Sequence, residues 1–180
     1  MRILLHTCCA PCAIYSIKKL KEKYEHVECF FYNPNIHPVS EYEKRKASCE
    51  ELSRVMDIGI HFHKDFNFED FFRKITFHEK DSRCSLCWSL RLEATAEYAA
   101  KNGFDGFTST LFISPYQDHE KLKQIAKDAQ AQYSIPFIYE DFRPGFRKSH
   151  ESSRGMGLYH QKYCGCIYSE RERLFKTQTV

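Results

Sequence analysis

Long apolar runs, glycine and proline are scarce in this 180-residue chain. The longest apolar stretches are a handful of residues, whereas a bilayer-spanning helix needs about 20. No transmembrane segment is expected. Ile3, Leu4 and Leu5 make too short a run for the apolar core of a secretory signal, and His6 ends it, so the sequence predicts a cytoplasmic protein. With only 7 Gly and 6 Pro, long disordered or low-complexity tracts are excluded, and no internal repeat is visible. Net charge is also small, +3, and by itself does not advertise a polyanionic partner.

What is present in excess is cysteine. Nine thiols are odd in number and many for this length, and a reducing cytosol does not sustain a structural disulfide framework. Metal binding or redox chemistry is the alternative. Seven of the nine fall into three groups: Cys8, Cys9 and Cys12 in HTCCAPC; Cys84 and Cys87; Cys164 and Cys166. Cys29 and Cys49 stand alone and read as small buried hydrophobes.

Local patterns place these groups. Residues 2–6 read as a strand, and Pro11 in a first helical turn is followed by Ile14, Ile17 and Leu20 at helical spacing. Further strands are predicted over 26–32, 58–63, 107–111 and 136–139. Ser40 and Glu43 suggest a capping box opening a helix to about residue 56. A short aromatic helix over 68–75 and longer ones over 84–101 and 119–133 follow, the first of the longer pair with Leu86, Leu90, Ala94 and Tyr98 as its buried stripe. Strands alternating with helices predict a single α/β domain over 1–180, a three-layer, mostly parallel, Rossmann-like sheet flanked by helices. Ligands of such sheets bind beyond the carboxyl ends of the strands, so cysteine-bearing loops are expected at that rim. The last forty residues, from about 141, read as an irregular basic segment covering it.

Residues three apart at a helix start share one side of a turn, so Cys84 with Cys87 and Cys9 with Cys12 can each serve one metal centre. Free N–H groups there also favour thiolate over thiol. Four thiolates from two helix starts suit a tetrahedral zinc or a 4Fe–4S cluster, and seven exceed what one structural zinc needs. His6, Asp81 and Tyr163 are candidate proton donors near these thiols, although His6 reads equally well as a satisfied core histidine and Asp81 as an oxygen ligand or a solvated loop residue. Lys18, Lys19, Lys21 and Lys23, and above all Arg143, Arg147, Lys148, Arg154 and Lys162, could follow a phosphate backbone or simply solvate the surface.

Taken together, HTCCAPC at 6–12, YNPNIHP at 32–38 with EYEKR after it, RCSLCWSLRL at 83–92, TSTLFISPYQD at 108–118 and GLYHQKYCGCIYS at 157–169 make the chain resemble the QueH family of epoxyqueuosine reductases. Trp88 departs from the tyrosine expected there. The resemblance implies reductive removal of the epoxide oxygen of epoxyqueuosine in a tRNA anticodon loop, with a 4Fe–4S cluster and no cobalamin. It implies cluster binding by Cys8, Cys9, Cys84 and Cys87 and a redox-active Cys164–Cys166 pair. With Cys12, these thiols leave room for a second, mononuclear iron, and an unidentified electron donor is required. Two other readings stay open: a zinc-stabilised nucleic-acid-binding module, and a nucleotide-dependent tRNA thiolation enzyme. The second lacks the glycines of a phosphate cradle in CCAPC.

Overall fold

The computed structural model describes residues 1–64, 66–80 and 82–176, without the side chain of Lys176. Asp81 therefore lies outside the described residues. Four parallel strands, β1 (Arg2–His6), β2 (His26–Phe31), β3 (Ile60–Phe62) and β4 (Gly106–Ser109), form one sheet in the order β3-β2-β1-β4. Around them run α1 (Ala10–Lys21), α2 (Val39–Met56), α3 (Phe68–Ile75), α4 (Arg83–Lys101), α5 (His119–Tyr133), α6 (Phe146–Gly155) and α7 (Ile167–Lys176). The α/β expectation is met.

Ile3, Leu4 and Leu5 are wholly buried, as a strand covered on both faces requires. The chain steps outward from β1 to β2 to β3, then returns to the other side of β1 to lay down β4. Right-handed crossovers then put α1 and α2 on one face and α4 on the other. The reversal leaves a crevice between the carboxyl ends of β1 and β4, where open parallel sheets bind ligands. The loop after β1 is TCC. The turn after β4 begins with Thr110.

Four expectations need correction. No side chain caps α2: the helix starts at Val39, before Ser40, and the Pro38 carbonyl accepts from the amides of Glu41 and Tyr42. Residues 136–139 make only a single bridge, Phe107 with Phe137, in which the Phe107 amide donates to the Pro136 carbonyl at 2.9 Å and the Ile138 amide to the Phe107 carbonyl at 2.8 Å, and Pro136 has no N–H with which to extend it. The buried face of α4 is Cys87, Trp88, Arg91, Leu92, Thr95, Ala96 and Ala99, one position on from the anticipated apolar stripe. The C-terminal forty residues are not irregular, since α6 and α7 lie within them. Cys29 and Cys49 are core residues as expected.

Candidate metal-thiolate site

Cys9 is the residue before α1, in extended conformation, so the loop turns directly from strand to helix. The Sγ of Cys8 lies 3.7 Å from that of Cys9, and one ligand atom from each of Cys8, Cys9 and Cys12 falls within 4.8 Å of the others. A tetrahedral ion with metal–sulfur bonds of about 2.3 Å has sulfur–sulfur edges of about 3.8 Å, so the triad has the spacing of a metal site. Thr110 fastens it to the end of β4: its Oγ1 accepts from the Cys8 amide at 3.1 Å and donates to Cys8 Sγ at 3.3 Å. Gln161 Nε2 lies 2.8 Å from Cys9 Sγ.

The three sulfurs divide their protons unequally. Donation from Cys12, then from Cys9, holds the Cys8 thiol well below its usual range. Burial pushes Cys9 up, and donation to Cys8 raises Cys12. The triad thus favours a single negative charge, centred on Cys8.

A second group of thiols joins the start of α4 to the C-terminal C-x-C. Buried Cys87 and Cys166 pack with Phe71 and Ile75 in a small separate core. Burial raises Cys87 to about 12, against the lowering field of Arg91, and Cys164, Cys166 and Cys84 all act on it electrostatically. Cys84 itself is exposed on the first turn of α4.

The triad and the C-x-C meet at one cavity of about 360 Å³ at the β1/β4 crevice, whose wall includes Cys8, Cys12, Thr110 and Cys164 but not Cys84, Cys87 or Cys166. Tyr116, Gln117, Lys162 and Tyr163 also line it. His6 does not reach this wall. It is wholly buried, its ring nitrogens lie 2.9 Å from Ser109 Oγ and 3.1 Å from the Tyr32 carbonyl, and burial lowers its pKa to about 4. It is a neutral pin between strand ends, which favours the core-histidine reading over the proton donor. Burial pushes Tyr163 up to about 12, so it stays protonated, and its hydroxyl donates to the His37 carbonyl.

The C-x-C loop is held by residues that sequence reasoning missed or left unexplained. Arg45 is fully buried; its Nε bonds Glu41 Oε1 at 2.8 Å, and its two Nη groups donate to the carbonyls of Cys164 at 2.9 Å and Tyr163 at 3.0 Å. Tyr159 donates to the other Glu41 oxygen. The His37 amide donates to the Gly165 carbonyl at 2.8 Å. EYEKR and YNPNIHP therefore buttress CGC across more than a hundred residues of sequence. Gly165 has φ 146°, and an added Cβ would come 3.1 Å from Asn35 Nδ2 and 3.2 Å from Ile36 Cγ1. Gly165→Ala is expected to cost about 1–3 kcal/mol, read as a lower urea midpoint at unchanged slope.

A family model described as "Epoxyqueuosine reductase QueH" matches residues 3–172. The chain belongs to the QueH family. Curated QueH relatives include the epoxyqueuosine reductase of Dehalococcoides mccartyi, 37% identical over 175 residues that cover 97% of this chain and 96% of the relative. That of Thermotoga maritima is 33% identical over 95% of this chain and 91% of its own. The Streptococcus pyogenes serotype M1 enzyme is 32% identical over 94% of this chain and 70% of its own. QueH membership gives the five sequence motifs a common address: each supplies residues to the cavity or to the shell that holds it.

The basic residues are distributed around this site. Lys162 is on the cavity wall, and Arg147, Lys148 and Arg154 are exposed on α6. Arg143, just before α6, is paired with Asp141 at 2.6 Å. Among the described residues, no helix is long and apolar enough to cross a membrane.

Proposed function

We propose that this chain is an epoxyqueuosine reductase that converts epoxyqueuosine in tRNA to queuosine, with an iron–sulfur cluster and without cobalamin. The observation that carries the reading is the convergence of Cys8, Cys12 and Cys164, from opposite ends of the chain, on the wall of one cavity. The donor set suits a metal-thiolate centre on charge, because wholly buried Arg91 lies in the field of Cys87, Cys164 and Cys8. In this reading Cys8, Cys9, Cys84 and Cys87 hold a 4Fe–4S cluster, while Cys12, Cys164 and Cys166 serve an adjacent iron or act as a redox dithiol.

Epoxide deoxygenation to an alkene takes two electrons and two protons and releases water. A bound cluster with its neighbouring redox element supplies the electrons one at a time, replenished by an external donor. The chain's own residues do the rest. Thr110 and Gln161 fix the triad, and Arg45 fixes the backbone that carries Cys164. Tyr163, protonated and on the cavity wall, is the described one of the three named donors that can protonate the departing oxygen, and it does so by turning its hydroxyl away from the His37 carbonyl. An unpaired base of an anticodon loop can be splayed into a cavity of this size at modest cost. Arg147, Lys148, Arg154 and Lys162 contact the tRNA backbone in this reading, with Arg143 beside them.

Anaerobic purification followed by iron and sulfide analysis and an assay on epoxyqueuosine-containing tRNA tests the proposal. Sulfide at about four per chain, with iron at about four for a dithiol or about five for an adjacent iron, and formation of queuosine, is the expected result. A colourless, air-stable protein with one zinc and no turnover would establish the binding-module reading instead. For the tRNA surface, Arg147→Glu with Lys148→Glu is expected to weaken binding at low salt and to reduce the slope of log K against log salt by roughly 1 per lost phosphate contact. An unchanged slope would count against α6.

A further inference from the structure

Cys84, Cys87 and Arg91 stand on one face of α4, at i, i+3 and i+7. Arg91 is 2% exposed. Its Nε donates to the Cys87 carbonyl at 3.1 Å, but its buried Nη2 has no hydrogen-bond partner. Among the described residues no carboxylate forms an ion pair with it. Arg45 is buried as deeply, yet Glu41 neutralises it and both its Nη groups are engaged. A guanidinium stays charged at any pH the fold survives, so Arg91 needs an anion that the side chains as arranged do not supply.

The groups in its field are thiols. Cys87, Cys164 and Cys8 come from three separate segments, and Cys8 and Cys164 share the cavity wall with Arg91. Metal ligation converts such thiols to thiolates and concentrates negative charge there; one-electron reduction adds one unit more. A fixed cation alongside favours the thiolates over the thiols and the reduced centre over the oxidised one.

We propose that Arg91 is the counter-charge of the metal-thiolate centre, a positioning residue whose buried cation raises both the affinity of the site for metal and its reduction potential. The proposal rests on reading the cavity as a metal-thiolate site, but not on the substrate.

Full-length wild type, Arg91→Lys, Arg91→Gln and Arg91→Met are compared in two ways. In the first, reduced metal-free protein is titrated with Co²⁺ alone and followed by the thiolate-to-cobalt charge-transfer band. Arg91→Gln and Arg91→Met should bind about tenfold or more weakly, the effect of losing a neighbouring opposite charge, while Arg91→Lys stays near wild type. In the second, anaerobically reconstituted protein is titrated with dithionite and monitored by electron paramagnetic resonance. The neutral variants should have lower midpoint potentials, with the lysine variant again near wild type.

Wild-type affinity and potential in Arg91→Gln would overturn the proposal, as would equal losses in the lysine and glutamine variants. If circular dichroism shows the neutral variants unfolded without metal, Arg91→Lys decides: folded with wild-type affinity, it supports the counter-charge; unfolded as well, it reduces Arg91 to packing and refutes it. A wild type with no charge-transfer band would overturn both the site and the proposal. A wild type that binds Co²⁺ and follows the expected ladder, yet leaves epoxyqueuosine untouched, supports Arg91 and removes only the assigned reaction.

Discussion

Cys8→Ser, purified without oxygen, is expected to lose its metal and its turnover while keeping its fold. Serine is nearly the shape of cysteine and position 8 is only half-buried, so packing should change little. The chemistry changes completely. Cys8 is the member of the triad whose pKa is held down, by donation from Cys12 and Cys9, and it is therefore the first sulfur to present a charge to a cation. A hydroxyl does not ionise there, and it cannot bridge to Cys9 across 3.7 Å as a second soft donor would. Loss of a merely supporting contact costs about 10–100-fold in metal affinity, so a ligand should exceed the upper figure. Metal analysis with an assay on epoxyqueuosine tRNA checks this. Cys49→Ser is the control. Its thiol is in the apolar core beneath α2, so a buried hydroxyl should lower stability by about 1–3 kcal/mol and leave metal content alone. Full iron content in Cys8→Ser would remove the triad from the centre.

The thiols were legible in the sequence because their spacing is itself the signal: three positions on a helix start, and a turn after a strand. Their supporting cations were not. Arg45 and Arg91 lie inside the quoted motifs without being singled out there, and an apolar stripe through Leu86, Leu90, Ala94 and Tyr98 passes over Arg91 because arginine is almost never fully buried. One clue was available, since Arg91 follows Cys84 at i+7 and Cys87 at i+4 and therefore shares their face. For Arg45 there was none beyond Glu41 four residues earlier, a pairing that most often lies in solvent. The strand series was legible until Pro136, where an apolar run without its amide yields one bridge rather than a strand. Ser40 and Glu43 matched a capping box in sequence, but the helix had already begun at Val39.

Arg45→Met should cause the largest stability loss, because it breaks a buried pair and a loop anchor together. The side chains of Arg45 and Glu41 are 1% and 8% exposed, and their Nε–Oε1 bond of 2.8 Å is shielded from solvent. Removing the arginine leaves a carboxylate inside the protein with, among the described residues, Tyr159 as its side-chain donor, and frees the carbonyls of Tyr163 and Cys164. Breaking one partner of such a pair costs about 3–5 kcal/mol, a large share of the 5–15 kcal/mol that holds a typical domain together. Urea unfolding of Arg45→Met, Glu41→Met and the double variant measures it. The double variant should be more stable than Arg45→Met alone, because no uncompensated charge remains, yet its turnover should stay low, because the carbonyls beside Cys164 are still unheld. That separation between recovered stability and unrecovered activity distinguishes a loop anchor from a simple core contact. A loss below about 1 kcal/mol in Arg45→Met, the range of an exposed pair, would mean that Tyr163 on the His37 carbonyl and His37 on Gly165 hold the C-x-C loop unaided.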